Sequence, residues 1–288
     1  MKIGFIGLGN LGTPIASNLL EQTGELYVFN RTASKMEPLV SAGATACSSV
    51  KQVAAICDII FSIVADDVAL NEITLNEDGI VKNFKEGGIH VSISTILPQT
   101  AEKLAAAHAS RNQQYVAAPV MGRPEAARAR KLNFLVSGNA AAVQNVKPFL
   151  TDCGAAGIWE FGEQVAAANV AKLCNNYLIV AAIEAMSEAI ELAEKSGIDK
   201  QQWANMITQT LFSAPVYINY SKLLLAENYL PAGFFLRLGL KDVNLVLEQA
   251  RVVEAKMPLA DVAKKQFESC MRKGLGEYDW TAVRMALK

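Results

Sequence analysis

The sequence predicts an α/β protein in two parts: a doubly wound parallel sheet in the N-terminal half, then an all-helical domain, the two joined by one long helix. Three observations predict it. Short apolar runs alternate with helical segments through the first half. Beyond Gly197 that alternation stops, and amphipathic helical periodicity runs to the end. Between the halves, Asn169 to Gly197 (NVAKLCNNYLIVAAIEAMSEAIELAEKSG) reads as a single uninterrupted helix. The expected domains are 1–163 and 164–288, with 164–197 as the interdomain helix and a small-molecule cleft between the two parts.

The first element is the apolar run Lys2 to Ile6, followed by Gly7-Leu8-Gly9-Asn10-Leu11-Gly12 and the helical stretch TPIASNLLEQTG. In this strand–turn–helix setting the first glycine permits a tight turn, the second lets a pyrophosphate approach the backbone, and the third lets helix and strand pack closely. A purely structural glycine turn is the other reading. The context favours a Rossmann-type dinucleotide loop, formed by all six residues from Gly7 to Gly12.

Leu26 to Phe29 forms the next strand. Its tip reads Asn30-Arg31-Thr32, ahead of a helix that Ser34 and Glu37 would enclose in a capping box. An acid at the tip would bind a ribose 2′-hydroxyl and repel a 2′-phosphate. Asn30 with Arg31 and Thr32 instead suits the phosphate, so NADP(H) is the expected cofactor, the alternative being a solvated turn.

Ile59 to Val64 and Ile89 to Ser94 are continuous apolar runs, as expected of parallel strands covered on both faces. Helices are expected over Ser49–Ile56, Val68–Leu75 and Pro98–His108. The strand ends Val64-Ala65-Asp66-Asp67 and Ser94-Thr95 fall where doubly wound sheets place their ligands; the hydroxyls there can face a nicotinamide or equally cap helices, which Ser and Thr favour. Two further strands, Tyr115–Val120 and Phe134–Ser137, flank Met121-Gly122-Arg123-Pro124-Glu125, and a helix to Phe149 and the segment Gly157 to Gly162 complete the first domain.

On the long helix Asn169, Lys172 and Asn176 fall at spacings of three and four and share a face. Val170, Leu173, Leu178, Ile179, Ile183, Met186 and Ile190 supply apolar contacts around most of the girth. A lysine in such a run either snorkels its ammonium to water or, held in partly desolvated surroundings, serves as a proton donor and acceptor. The flanking amides strengthen the second reading, and the helix alone leaves the snorkelling lysine the commoner case. The helical domain is punctuated at Pro215, Pro231-Ala232-Gly233, Pro258 and Gly274-Leu275-Gly276. Its apolar residues, Phe234, Phe235, Leu236, Leu238 and Leu240 among them, suggest that it buries surface against a second subunit.

Composition narrows the partners. Lys plus Arg number 27 against 28 for Asp plus Glu, so no charge excess favours nucleic acid or an anionic membrane. The glycines of the opening segment break its apolar run, which argues against a signal peptide or a membrane span. Cys47, Cys57, Cys153, Cys174 and Cys270 are scattered and odd in number, as suits free thiols in a reducing, cytoplasmic setting. With His90 and His108 the only histidines and no CxxC or HxxxH, no metal site is expected.

Together GLGNLGTPIASNL, FNRTASK, SISTILP, AKLCNN and FFLRLGLKDVNLVLEQA resemble the β-hydroxyacid dehydrogenase family, which includes 3-hydroxyisobutyrate dehydrogenase, tartronate semialdehyde reductase and, more distantly, 6-phosphogluconate dehydrogenase. The resemblance covers nearly the whole chain. It implies that Lys172 is the general acid or base and that Asn176 positions the substrate. It also implies that Thr95 and Lys241 contact the cofactor, and that the helical domain carries the interface of a homodimer or higher homo-oligomer. Where the family usually reads DAPVSGG, this chain reads Ala117-Ala118-Pro119-Val120-Met121-Gly122-Arg123. Met121 cannot replace the serine's hydrogen bond, whereas Arg123 can bind a carboxylate directly, point to solvent or fill the space of the family's glycine. Ala166 and Ala168 likewise stand where glycines are usual. Met121, Gly122, Arg123 and Asn169 are therefore the expected substrate-side residues, and a small carbonyl or hydroxy acid is the expected substrate. An imine-reductase-like activity and NADPH binding without turnover are the alternatives.

Overall fold

The computed structural model describes residues 1–287, in two compact units, one of residues 1–172 and one from Leu173 onward. In the first unit the elements run β1 (Ile3–Ile6), α1 (Gly12–Thr23), β2 (Tyr27–Phe29), α2 (Glu37–Ser41), β3 (Thr45–Ala46), α3 (Val50–Ile56), β4 (Ile59–Ser62), α4 (Asp67–Leu75), α5 (Ile80–Asn83), β5 (Ile89–Ser92) and α6 (Pro98–Ala109). They continue as β6 (Gln114–Ala117), β7 (Val120–Met121), α7 (Pro124–Arg128), β8 (Leu132–Gly138), α8 (Ala140–Asp152), β9 (Ala155–Glu160) and the start of α9 (Ala167–Lys195). The strand order is β3-β2-β1-β4-β5-β6-β8-β7, with β9 also paired to β8. From β3 to β6 every pairing is parallel, and β8 then runs antiparallel to β6.

The parallel strands read as unbroken apolar runs because both faces are covered. Phe5, Phe61 and Val91 enter one core, with Ile15 and Leu19 of α1, while Ile6 and Ile60 enter another with Val53 and Phe84. β4 and β5 are shorter than their apolar runs, ending at Ser62 and Ser92. Ile63 and Ile93 each make one more ladder bond, to Ile6 and Ser62, before the chain turns away. The expected strand Tyr115–Val120 is two strands, β6 and β7, because Pro119 lacks the N–H that a continuous ladder requires. The expected capping box at Ser34 is also absent. Ala33–Met36 is a 3₁₀ turn in which the Ser34 carbonyl itself takes the Glu37 N–H, with Pro38 following in the first turn of α2.

A polar chain crosses the interior of this unit. The amide nitrogen of Gln113 donates to the carbonyls of Val81 and Phe84, so its oxygen faces His108 Nδ1 at 2.9 Å and accepts from it. His108 Nε2 is then the acceptor for His90 Nδ1–H at 3.0 Å, and His90 Nε2 accepts the Ser62 hydroxyl at 2.8 Å. Every proton is assigned by the partners, and both rings are neutral. Burial pushes His108 down to about 4, and burial with the neighbouring His108 holds His90 well below the ordinary histidine range.

The second unit holds the rest of α9, then α10 (Lys200–Gln209), α11 (Pro215–Ala226), α12 (Leu236–Val252), α13 (Pro258–Arg272) and a 3₁₀ helix, Trp280–Ala286. Prolines open α11 and α13, where a missing N–H costs nothing. Ile183, Met186 and Ile190 of α9 meet Leu224, Leu236, Val243, Phe267 and Trp280 in one core. Gly239 lets α12 lie against α13, since a Cβ there would meet the Phe267 ring at 2.6 Å.

Two sequence expectations change in this unit. Leu178 is 65% exposed, so it does not share the buried girth of α9. In the stretch 234–240, Leu236 is fully buried and Phe234 and Leu240 pack on the unit's own core, so these residues are used within the fold. The fully buried Arg284 reaches Glu227 at 2.8 Å and Glu194 at 3.0 Å, fastening the C-terminal turn to α11 and α9. Among the described residues no helix is long and apolar enough to cross a membrane, and no cluster of His, Cys, Asp or Glu could hold a metal ion.

Candidate active site

The glycine loop lies at the carboxyl end of β1, which has β2 on one side and β4 on the other. This is the point of a doubly wound sheet where the strand order reverses and a crevice opens. Gly7 sits at φ 101°, and a Cβ there would meet the Ile63 carbonyl oxygen at 2.0 Å. At Gly12 it would meet the Gly7 oxygen at 2.1 Å. The protein itself therefore excludes side chains at these two positions. Gly9 differs, because its Cβ would find nothing within 4 Å, which leaves an open approach to the backbone. Leu8 is buried in the core and Leu11 packs on it, so they offer only main chain to a ligand, while Asn10 is exposed. No side chain caps α1; the Thr13 N–H is taken by the Gly9 carbonyl at 3.0 Å and Pro14 has none, which leaves the Gly12 N–H at the head of the helix for an anion. The loop fits a dinucleotide.

At the tip of β2 the Asn30 carboxamide is taken up on both sides. Its oxygen accepts the Leu8 N–H at 2.9 Å and its nitrogen donates to the Thr32 carbonyl at 2.9 Å. Arg31 and Thr32 are exposed beside it, and the Thr32 side chain caps no helix.

The loops after β4 and β5 are clasped to each other. Val64 N–H donates to the Ser94 hydroxyl at 2.8 Å, and Leu97 N–H to Asp67 Oδ1 at 2.9 Å. Asp66 caps α4 through the Ala69 N–H, so its carboxylate shapes the loop. Ala65 is exposed and Thr95 half-buried. Ser94 and Asp67 stood only in the motif context of the sequence reading, and their clasping roles are visible in the structure alone.

Met121 ends β7 and packs partly against the core as an apolar wall. Gly122, at φ 142°, has no room for a side chain, since a Cβ would meet Leu132 at 2.5 Å. Arg123 opens α7 half-buried, its Nε 3.9 Å from Glu125.

The start of α9 is fixed by a residue that the sequence reading passed over. The buried Ser137 of β8 donates to the Val165 carbonyl at 2.7 Å and accepts the Ala168 N–H at 3.1 Å, a tertiary cap on the first turn. Lys172, one turn further on, is buried at 7% exposure. Asn169 is buried too, and its side-chain oxygen has no hydrogen-bond partner among the described residues. Further along α9, within the second unit, buried Asn176 donates to Asp242 Oδ2 at 2.6 Å, and Lys241 Nζ lies 3.0 Å from the other carboxylate oxygen. Asp242 is the second omission. Its signal was available, because it falls among the buried positions Leu236, Gly239, Val243 and Val246 of α12, where an acid requires a partner.

Comparison with known proteins agrees with this geometry. Residues 2–195 match the family described as the NAD binding domain of 6-phosphogluconate dehydrogenase. Residues 166–287 match the one described as NAD-binding of NADP-dependent 3-hydroxyisobutyrate dehydrogenase. Over the whole of both chains, 288 residues, the sequence is 44% identical to the oxidoreductase YfjR of Bacillus subtilis (strain 168). It is 30% identical to the chloroplastic glyoxylate/succinic semialdehyde reductase 2 of Arabidopsis thaliana, over all of this chain and 80% of that one. The solved structure of Psf3 in complex with NADP+ and 2-OPP superposes with a TM-score of 0.89 at 25% identity, covering 99% of this chain and 100% of the other. The chain belongs to the β-hydroxyacid dehydrogenase family, oxidoreductases that use a nicotinamide cofactor and act on the CH–OH group.

Proposed function

We propose that the protein is an NADP(H)-dependent reductase of a small carbonyl compound, a semialdehyde or short keto acid, and that it also oxidises the corresponding hydroxy acid. The observation that carries this reading is Lys172, a buried lysine on a helix whose neighbouring turns carry the buried amides of Asn169 and Asn176. When bound, the nicotinamide supplies or takes up the hydride. Lys172 gives a proton to the carbonyl oxygen as it becomes the alcohol oxygen, and in oxidation takes it back; solvent then restores its charge. Its positive charge faces the oxygen where negative charge develops. Asn176, held by Asp242, orients Lys172 or the substrate oxygen. Arg123 takes the substrate carboxylate in place of the family's serine, and Met121 leaves that side of the pocket apolar.

The cofactor preference rests on Asn30, Arg31 and Thr32. No acid stands at the tip of β2 to repel a 2′-phosphate, and Arg31 is exposed to pair with it. The Psf3 structure, solved in complex with NADP+, is consistent with this, and the glyoxylate/succinic semialdehyde reductase relative with the substrate class. Thr95 and Lys241 complete the cofactor contacts. We also infer a homodimer or higher homo-oligomer formed through the helical unit, whose exposed apolar residues include Leu178, Leu259 and Val262. The five free cysteines suit the cytoplasm.

A panel of short aldehydes, semialdehydes, keto acids and cyclic imines, followed by the loss of NADPH absorbance, tests the reading. Turnover of a semialdehyde or keto acid with NADPH well above NADH supports it. Turnover of imines alone, or binding of NADPH with no turnover, would overturn it.

A further inference from the structure

The sheet ladder between β1 and β2 runs Gly4↔Tyr27, Phe5↔Val28 and Ile6↔Phe29, and closes with the Gly7 N–H on the Phe29 carbonyl at 3.0 Å. Beyond that rung the two backbones part. The next amide of the glycine loop, Leu8 N–H, would lose its partner, and the Asn30 side chain supplies one: its oxygen accepts that N–H at 2.9 Å, across 22 residues of sequence. The other end of the same carboxamide donates to the Thr32 carbonyl at 2.9 Å. That carbonyl also accepts the Lys35 N–H at 3.1 Å, so the turn bearing Arg31 is closed from both sides.

We propose that Asn30 is a positioning residue of the cofactor site. Its carboxamide is a strut that sets the glycine loop and the Arg31–Thr32 turn in register with each other, and it acts through the backbone of both. The proposal deepens the NADP(H) reading and rests on it for the role of Arg31. The residue type follows from the partners. One neighbour offers a hydrogen and the other a lone pair, which only an amide of this length answers together. A carboxylate keeps the Leu8 bond but sets an oxygen against the Thr32 carbonyl. An alanine leaves both groups unmet.

The two roles open to residue 30 give different results. As a strut, it supports the loop that both cofactors share. Asn30→Ala should then weaken NADPH and NADH together, each by about three- to tenfold, and leave their affinity ratio unchanged. Arg31→Ala should change that ratio. Asn30→Asp should bind NADH no better than the wild type. Both cofactors are titrated by fluorescence into wild type and the three variants, with thermal unfolding recorded alongside, since a role confined to stability would lower Tm and leave the affinities in place. Tighter NADH binding by Asn30→Asp, loss confined to NADPH in Asn30→Ala, or unchanged affinities in Asn30→Ala would overturn the proposal. Equal affinities of the wild type for the two cofactors would instead overturn the NADP(H) preference, and the shared loss in Asn30→Ala would still decide the role of Asn30.

Discussion

The two units solve the problem of interior polar groups in different ways. In the first, apart from Lys172 and the loop carboxylates of Asp66 and Asp67, short neutral groups meet backbone or one another: Asn30 with Leu8 and Thr32, Ser94 with Val64, and the series Ser62, His90, His108, Gln113. In the second, charges are buried, Asp242 beside Asn176 and Lys241 and Arg284 among Glu194 and Glu227, while the half-buried Glu184, raised to about 8 by burial and by the nearby Glu188, keeps its proton. Neutral hydrogen bonds preset loops at little desolvation cost, which suits a face that must receive a dinucleotide without rearranging. Buried charges cost more to desolvate and are strongly position-dependent, which ties each to one fixed partner. Within the first unit neutral hydrogen bonds shape the loops of the ligand face, and within the second unit ion pairs hold its own helices and C-terminal turn together.

The largest effect is expected at the buried cation of the first unit, in Lys172→Ala. Turnover should fall by about 10²-fold or more, while NADPH affinity, set by the glycine loop, stays close to that of the wild type. Steady-state rates on the best panel substrate and a fluorescence titration measure the two. Near-normal turnover in a variant with unchanged circular dichroism would remove Lys172 from the chemistry.

The same contrast explains what the sequence could reveal. The first unit's ligand face is legible because its signals are local. Gly7 to Gly12 occupy six consecutive positions, and the missing acid at Asn30 is read from a single turn. What is not legible there is where each strand ends, because Ile63 and Ile93 stay apolar for packing after the ladder has stopped. The second unit's site depends on pairs far apart in the chain. Asn176 and Asp242 are separated by 66 residues, and Arg284 and Glu194 by 90, and periodicity carries no register between helices. Leu178 was misjudged for a related reason, since a helix with apolar residues all round does not show which of its faces stays open.

Asp242→Ala probes the charged unit directly. Removing the carboxylate leaves the Asn176 amide without its partner in the interior, and kcat should fall by about tenfold or more. Asp242→Asn keeps an oxygen for Asn176 but loses the charge beside Lys241. Recovery of most of the rate in Asp242→Asn would show that the hydrogen bond matters. A loss equal to that of Asp242→Ala would show that the charge does, and wild-type rates in both would break the link between Asp242 and catalysis.

The units should also respond to pH with opposite sign. His108 is depressed to about 4, so between about 4 and 6.5 the unfolded chain binds a proton that the native one does not, and stability rises with pH. His90, also depressed, adds to this in the same direction. Glu184 is raised to about 8, so from about 4.5 to 8 the native chain holds a proton that the unfolded one has lost, and stability falls as pH rises. Glu194, held down by Lys200, opposes this, but it is exposed and screened. In the shared window each slope approaches about 1.4 kcal/mol per pH unit, or about tenfold in opening. Hydrogen exchange from pH 5 to 6.5, corrected for intrinsic rates, should show β4, β5 and α6 gaining protection while the middle of α9 loses it. Changes of the same sign in both would sink the contrast.

The smallest effect expected is at Ser137, where the first unit's neutral bonding meets the helix that bears Lys172. The hydroxyl serves two backbone groups, the Val165 carbonyl and the Ala168 N–H, in a site with no exposure. Ser137→Ala removes one atom and orphans both. The net loss of such bonds is about 1 kcal/mol each, small against the stability of a unit whose sheet core is untouched, but it falls on the turn immediately before Lys172. The expected result is a fall in kcat of about three- to tenfold with NADPH affinity unchanged, accompanied by faster hydrogen exchange confined to the peptide spanning residues 165–172. Faster exchange there with full turnover would mean that Lys172 does not depend on the cap for its position. A loss of NADPH affinity instead would mean that Ser137 supports the binding loops, and that binding and proton transfer are not separable within the first unit.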